Sequence, residues 1–295
     1  MADAKTFEAA LIRRRAMGAF APNEPSPITV ESAAAEWLAL GKETWAGTTT
    51  KKRTSQINHW ITPMIGDVRL RDLSRARAKQ MRVDMLSAGA SRKHVNEVMK
   101  TLSALFANAT EDELIPSNPI AGIKGLSVMP NERRVPSDQE VDAVINKMPT
   151  DVDRAIVLLL AGTGMRPAEL CGLKWRDVDD DVIHVVRSVQ SGFEVPPKNL
   201  KGRRVPIGST ARRGLAVAPH GQPSNYIVTN SARPLAWELW FKRVWKKSGA
   251  DFIPYQLRHR RASVLLSRGV PPPAVADQLG HTLAILFARY AHLMG

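Results

Sequence analysis

The sequence predicts a mainly α-helical chain in two parts: an all-helical N-terminal unit, then an α+β unit carrying a small antiparallel sheet. Three observations carry that prediction. Apolar residues recur with a 3.6-residue period through residues 29–125. A β-branched run, DVIHVVRSV at 181–189, and the segment RRVPI at 203–207 break the helical pattern in the second half only. Between the parts lies AGIKGLSVMPNERRVP, whose mix of Gly, Pro and charge suits a hinge. The expected boundaries are a lead and linker over 1–28, a helical domain over 29–125, a linker over 126–136 and a second domain over 137–295.

In the lead, three arginines at 13–15 are followed by APNEPSP, a proline-rich linker. ITVESAAAEWLAL sets Ala33, Ala34, Trp37 and Leu38 on one face of a first helix. TTTKKRTSQINHWITPMIG is basic in its first half and apolar in its second, and LSRARAKQMRVDMLSAGAS holds a third helix ending near Gly89. A fourth carries Val95, Val98, Met99, Leu102, Leu105 and Phe106 along one side. The other side of these helices presents Lys51, Lys52, Arg53, Arg75, Arg77, Lys79, Arg82, Arg92 and Lys93. Such a face is either simply solvated or a surface for a polyanion.

Ser137-Asp-Gln-Glu140 is a capping box that opens the second domain. A buried helix follows at 151–162, then one starting at Pro167, a residue well placed in a first helical turn. The strand at 181–189 turns at Ser191-Gly192, and RRVPI completes the sheet. Helices return at 235–248, 256–268, 272–279 and 283–292. Trp237, Trp240, Phe241 and Val244 have helical spacing and belong to a core.

The 295 residues carry 42 Lys+Arg against 28 Asp+Glu, a net charge of +14 and a pI near 10.3. An excess of that size favours a nucleic-acid partner, since each phosphate contact releases counterions. Both parts share it: +5 over residues 1–130 and +9 over the rest. The single cysteine, Cys171, excludes an intramolecular disulfide and reads as a small buried residue. No apolar run reaches membrane-spanning length and the N-terminal segment lacks a signal-peptide core. The expected location is the cytoplasm of a bacterial host, associated with the nucleoid.

Two arginines stand out on local grounds. Arg166 follows the turn Gly162-Thr-Gly164, which lacks the Lys-Ser/Thr of a P-loop. Glu169, three residues on, can orient it or form a plain helix-start ion pair with it. Arg258 shares a helix face with Ala262, Leu265 and Leu266, so it needs an anionic partner. A structural salt bridge would supply one. Two such guanidiniums would suit a single phosphate, whose oxygens match their forks.

In order, the chain then offers Arg166 in AGTGMRPAEL, Lys198 in PPKNLKGRRVPI, Arg258 in YQLRH, His281 in LGH and Tyr290 in ARYAHL. This set resembles the active site of the tyrosine recombinases of the phage-integrase family. TGMRPAELCGLKWRDVD is similar to the family's first-arginine box, while IGDVRLRDLS and SNPI resemble features of its SAM-like core-binding domain. The resemblance covers about residues 29–293. It implies DNA cutting and rejoining through a 3′-phosphotyrosine, with no metal, ATP or other cofactor. Arg166 and Arg258 would bind the scissile phosphate, and His281 would hydrogen-bond it. Lys198, in the family's hairpin position, would protonate the leaving oxygen, with Lys201 as its competitor. Tyr290 would attack phosphorus, with Glu169, Tyr255 and His259 in support. Lys51, Lys52, Arg53, Arg92, Lys93, Lys201 and Arg203 would contact the duplex. Implied partners are double-stranded DNA at core attachment sites, three further copies of the chain in a tetramer, and an accessory DNA-bending or directionality factor.

One position departs from the family. Its second-arginine box reads His-x-x-Arg, and here it is Tyr255-Gln-Leu-Arg258. A tyrosine there is a poor base at neutral pH. AHLMG alone follows Tyr290 and 28 residues precede the helical domain, so the expectation is a compact integrase using core sites without a separate arm-binding domain. A catalytically lapsed DNA-binding protein and a topoisomerase-IB-like relaxing enzyme are the other readings of this set.

Overall fold

The computed structural model describes residues 28–129, 134–197 and 202–290. Its contacts divide the chain into two compact units, Met1–Pro130 and Asn131–Gly295. The arginines at 13–15, Lys198 and Lys201 lie outside the described residues.

Among the described residues, four helices build the first unit. Helix α1 (Val30–Thr44) starts where Thr29 accepts from the Ser32 backbone N–H at 3.2 Å, and Ser32 returns the bond. It buries Val30, Ala33, Ala34 and Trp37. Helix α2 (Gly47–Gln56) passes through a widened turn at Ile57–Ile61 into Thr62–Ile65, so its polar half leads directly into its apolar half. Gln56 is buried at the join and accepts from Thr101 Oγ1 at 2.6 Å. Ser74 and Ser91 cap α3 (Arg75–Ser87) and α4 (Arg92–Glu111), each accepting from the third residue beyond it. The stripe of α4 from Val95 to Ala109 is buried as its periodicity requires. Each such apolar side chain contributes about 1.5–3 kcal/mol by leaving water.

The basic face is less free than its composition suggests. Arg53 lies over the rings of Trp37 and Trp45, 4.6 and 4.0 Å from their centroids, so it packs as well as charges the surface. Arg75, Arg82 and Arg92 donate to backbone carbonyls of the segment after α4, at Pro119, Ala121, Lys124 and Ser127. Arg77 donates to Met64 O at 2.8 Å. These arginines tie down chain whose carbonyls have no helix or sheet to satisfy them. Lys51, Lys52, Arg92 and Lys93 remain exposed, Lys52 beside Glu97.

In the second unit, Ser137 and Glu140 form the expected box at the start of α5 (Asp138–Asn146). Helix α6 (Asp151–Thr163) runs through the core, with every residue from Ala155 to Thr163 buried. Helix α8 (Ser209–Val217) crosses it closely. A Cβ on Gly162 would stand 2.4 Å from Ala211 N, so only glycine allows that approach. Between them come the short α7 (Pro167–Cys171) and the strands. The run expected as one strand is two. Strand β1 (Val182–Val185) pairs antiparallel with β4 (Arg203–Pro206), whereas β2 (Ser188–Gln190) pairs with β3 (Phe193–Val195) across Ser191-Gly192. Val186 and Arg187 separate them, and Arg187 turns in to Asp177.

Helix α9 (Trp237–Arg243) brings Trp240 into the core, where its indole donates to Asp153 at 2.7 Å. Helices α10 (Pro254–Ser267), α11 (Pro272–Leu279) and α12 (Leu283–Tyr290) share a smaller apolar cluster around Ala262, Leu266, Val275, Leu279 and Leu286. Tyr226 is buried in the core and sits in isolated bridges rather than a strand.

Helices α6 and α11 are each capped directly by a left-handed glycine, Gly164 (φ +69°) and Gly280 (φ +61°). A Cβ on Gly164 would lie 2.6 Å from Leu279 Cδ2. Gly164→Ala should therefore cost more than about 1 kcal/mol, the combined effect of strain and overlap. Urea-unfolding midpoints of the two proteins check this.

Candidate active site

The C-terminal end of α11 organises the site. The last carbonyls of a helix have no partner within it and carry partial negative charge. Here three arginines donate to them. Arg203 Nε reaches Gln278 O at 2.9 Å, Arg258 Nη2 reaches Leu279 O, and Arg166 Nη2 reaches Gly280 O at 3.1 Å. Arg258 also donates through Nη1 to Gly164 O at 2.8 Å, linking this end to the end of α6. Gly164 and Gly280 can turn their carbonyls inward because left-handed backbone is open to glycine.

One carboxylate serves this cluster. Glu169, 1% exposed, receives Arg166 Nη1 at 2.7 Å and both terminal nitrogens of Arg203 at 2.9 and 2.6 Å. It also accepts from the Arg166 backbone N–H at 2.7 Å, so it caps α7 while bridging two guanidiniums. Burial alone would raise its pKa, but Arg203 and Arg166 outweigh that and hold it down at about 2, against an ordinary 4.5. Three guanidiniums with one ion-paired carboxylate leave a cationic excess.

Arg258 feels that excess most. It is 1% exposed, and burial followed by the charge of Arg166 pushes its pKa down. Its Nε has no hydrogen-bond partner among the described residues. The buried Nδ1 of His281 shares that condition. Burial, then the charges of Arg258 and Arg166, push the His281 imidazole down to about 3, so it is neutral at physiological pH.

Arg166, Arg203, Gly280 and His281 line an open hollow of about 460 Å³. Pro197 and Gly202, which flank the undescribed residues 198–201, line it too. Nothing is described of Lys198 or Lys201 themselves.

Tyr290 closes α12. Its ring is 3% exposed among the apolar side chains of α10, α11 and α12, and its hydroxyl meets His259 Nδ1 at 2.5 Å. His259 directly follows Arg258 on α10, so one helix holds an arginine of the cluster and the contact to the phenol. Tyr255, one turn earlier, sets its half-buried ring edge-on against His259 at 5.4 Å.

Arg166, Glu169, Arg258 and His281 thus come together, and His259 and Tyr290 adjoin them through α10. Arg203 differs from its expected place on the duplex: with a side chain 9% exposed, it is held by Glu169 and α11. Strand alternation carries the signal, since Arg203 shares a face with the fully buried Val205 two residues on. Cys171 is buried, and burial pushes its thiol up to about 12. Among the described residues no helix is long and apolar enough to cross a membrane.

Arg166, Arg203 and Arg204 outnumber Asp277 in the lining, so the hollow is cationic. Residues 137–294 match the phage integrase family. The tyrosine recombinase XerA of Thermococcus kodakarensis is 30% identical over 223 residues, covering 72% of this chain and 74% of that protein. XerA of Pyrococcus furiosus is 31% identical over 225 residues, covering 72% and 71%. The fold is similar to that of the Tn1549 transposon integrase in complex with a circular intermediate DNA. The TM-score is 0.75 at 20% identity, with 90% of this chain and 96% of that one covered. A lambda integrase dimer bound to a COC′ core site gives a TM-score of 0.72 at 19% identity, covering 91% and 96%. The chain belongs to the phage integrase family and is a tyrosine-type site-specific recombinase.

The depressed pKa values of Glu169 and His281 set an acid limit. Glu169 is ionised in the fold at about 2 and at an ordinary 4.5 when unfolded, so its contribution is full above 4.5 and is lost as pH falls towards 2. His281 binds its proton more readily unfolded, so stability also falls from 6.5 towards 3. Urea midpoints should decline steadily through this range. In Glu169→Gln the part below 4.5 should flatten; an unchanged slope there would contradict the assignment.

Proposed function

We propose that the protein carries out DNA strand exchange for the integration and excision of a phage or other mobile element, with Tyr290 as its nucleophile. The observation that supports this best is the arginine cluster at the end of α11, cationic in excess, beside the helix that holds the Tyr290 hydroxyl. A bound phosphodiester would supply the missing negative charge. Arg166 and Arg258 grip its non-bridging oxygens and stabilise the charge that builds in the transition state. His281, neutral and with Nδ1 unpartnered, adds a hydrogen bond to the same phosphate.

Tyr290 Oη attacks phosphorus as the bond to the 5′ oxygen breaks, leaving a 3′-phosphotyrosine and a free 5′-hydroxyl. Lys198 gives the leaving oxygen its proton; its support here is that Pro197 and Gly202 border the hollow. The 5′-hydroxyl of a partner strand reverses the step, and the phosphotyrosine conserves the bond energy. Lys51, Lys52, Arg92, Lys93 and Lys201 track the duplex backbone. Arg53 contributes charge from its stacked position, and Arg203 acts through Glu169. Four copies act together on paired core sites in the host cytoplasm, with an accessory factor setting direction.

A nicked suicide substrate spanning a core site should yield an SDS-resistant protein–DNA adduct that Tyr290→Phe abolishes. Tight binding to that site with no adduct from the unaltered protein would instead mark a lapsed enzyme. In the first unit, Lys93→Ala should weaken binding to all sequences alike and lower the slope of log affinity against log salt by about one phosphate contact. A salt titration of DNA binding checks it.

A further inference from the structure

We propose that His259 is the proton acceptor for Tyr290, in place of the histidine that Tyr255 displaces from the second-arginine box. This rests on the reading of Tyr290 as the nucleophile. A phenol, with a pKa of about 10, is protonated at neutral pH and must lose its proton as it attacks. The group that takes the proton has to be within hydrogen-bond reach. Among the described contacts of the Tyr290 hydroxyl, the one with a side-chain base is to His259 Nδ1, at 2.5 Å.

The surroundings suit this task. His259 is 3% exposed and Tyr290 likewise 3%, so water does not compete for the contact. The imidazole is held between two rings, Tyr255 edge-on at 5.4 Å and Tyr290 tilted at 5.9 Å. Tyr255 and His259 are four residues apart and project from the same side of α10. A base lost at the first position can therefore be supplied from the second without moving the helix. Tyr255 keeps the part that an aromatic ring can play: it fixes the imidazole plane.

Charge ties this step to substrate. Arg258 adjoins His259 in sequence, and Arg166 and Arg203 share its cluster. These cations disfavour a further positive charge beside them. A bound phosphodiester offsets the cations, and an imidazolium becomes acceptable when the phosphate is in place. In the step itself the Tyr290 proton moves to His259 Nδ1, the Oη–P bond forms and the P–O5′ bond breaks. The 5′ oxygen takes its proton from the general acid. On resealing, His259 returns its proton to the departing phenolate.

The test is single-turnover cleavage of the nicked suicide substrate by the full chain, with DNA affinity measured alongside. His259→Ala should slow adduct formation on the order of 100-fold or more, with affinity within a few-fold, and added imidazole should restore part of the rate. His259→Gln carries the test alone if the alanine variant does not fold. Its carbonyl can still accept a hydrogen bond from Tyr290 but cannot take the proton, so it should remain slow. Tyr255→Phe keeps the ring against His259 and should lose far less rate than His259→Gln. A His259→Gln protein that cleaves at the original rate would reduce His259 to a positioning residue and overturn the proposal. A large loss in Tyr255→Phe with none in His259→Gln would overturn it too, by returning the base to the box position. If the unaltered protein forms no adduct, or Tyr290→Phe still forms one, the fault lies with the nucleophile assignment.

Discussion

Everything in the second unit is arranged around one electrostatic imbalance: three guanidiniums brought together on a single carboxylate and one helix end. Buried cations of this kind are costly unless each finds acceptors. The fold meets most of that cost with backbone rather than side chains. The carbonyls of Gln278, Leu279 and Gly280 take one arginine each, and Gly164 O takes Arg258 a second time. Carbonyl dipoles satisfy hydrogen bonds without cancelling charge. The cluster can thus be well bonded and still cationic, the condition needed to receive a phosphate without reorganising.

Glu169 sets how far that imbalance goes. With no carboxylate, Arg166 and Arg203 would repel; with a second, most of the cationic excess that draws a phosphate would be cancelled. By bridging both arginines and capping α7 through the Arg166 N–H, one residue fixes where the first guanidinium stands and which way it faces. The two left-handed glycines belong to the same device, since each turns a terminal carbonyl towards an arginine.

The parts legible in the sequence are those with local causes. The α4 stripe, the Ser137 box, the Pro167 start and the buried helix at 151–163 follow from periodicity and capping within a few residues. Arg258 was legible for the same reason: its neighbours at four, seven and eight residues on are apolar, and it is buried. What local pattern could not reach was partner choice. Arg203 reads as a basic strand residue until Glu169, 34 positions earlier, is seen beneath it. Arg53, Arg75 and Arg82 read as free surface cations until the rings and carbonyls they hold are known. The run at 181–189 has the composition of one strand, but the inward turn of Arg187 to Asp177 divides it, and composition carries no record of that.

Tyr290 is held differently from the arginines, and the difference bears on how the site works. Its position depends on apolar packing of α12 against α10 and α11, with Leu286 one turn earlier on the same buried side. Its hydroxyl meets α10 at the residue after Arg258. Guanidinium cluster and nucleophile are therefore supported by separate kinds of force, one electrostatic and one hydrophobic, that meet on a single helix. Acid would loosen the first and leave the second largely intact, whereas a cavity in the α10–α12 packing would release the tyrosine while the arginines kept their carbonyls. Helix α10 is the element that keeps the two in register. The spacing of Tyr255, Arg258 and His259 along it is the geometric constraint on which alignment of nucleophile and phosphate site depends.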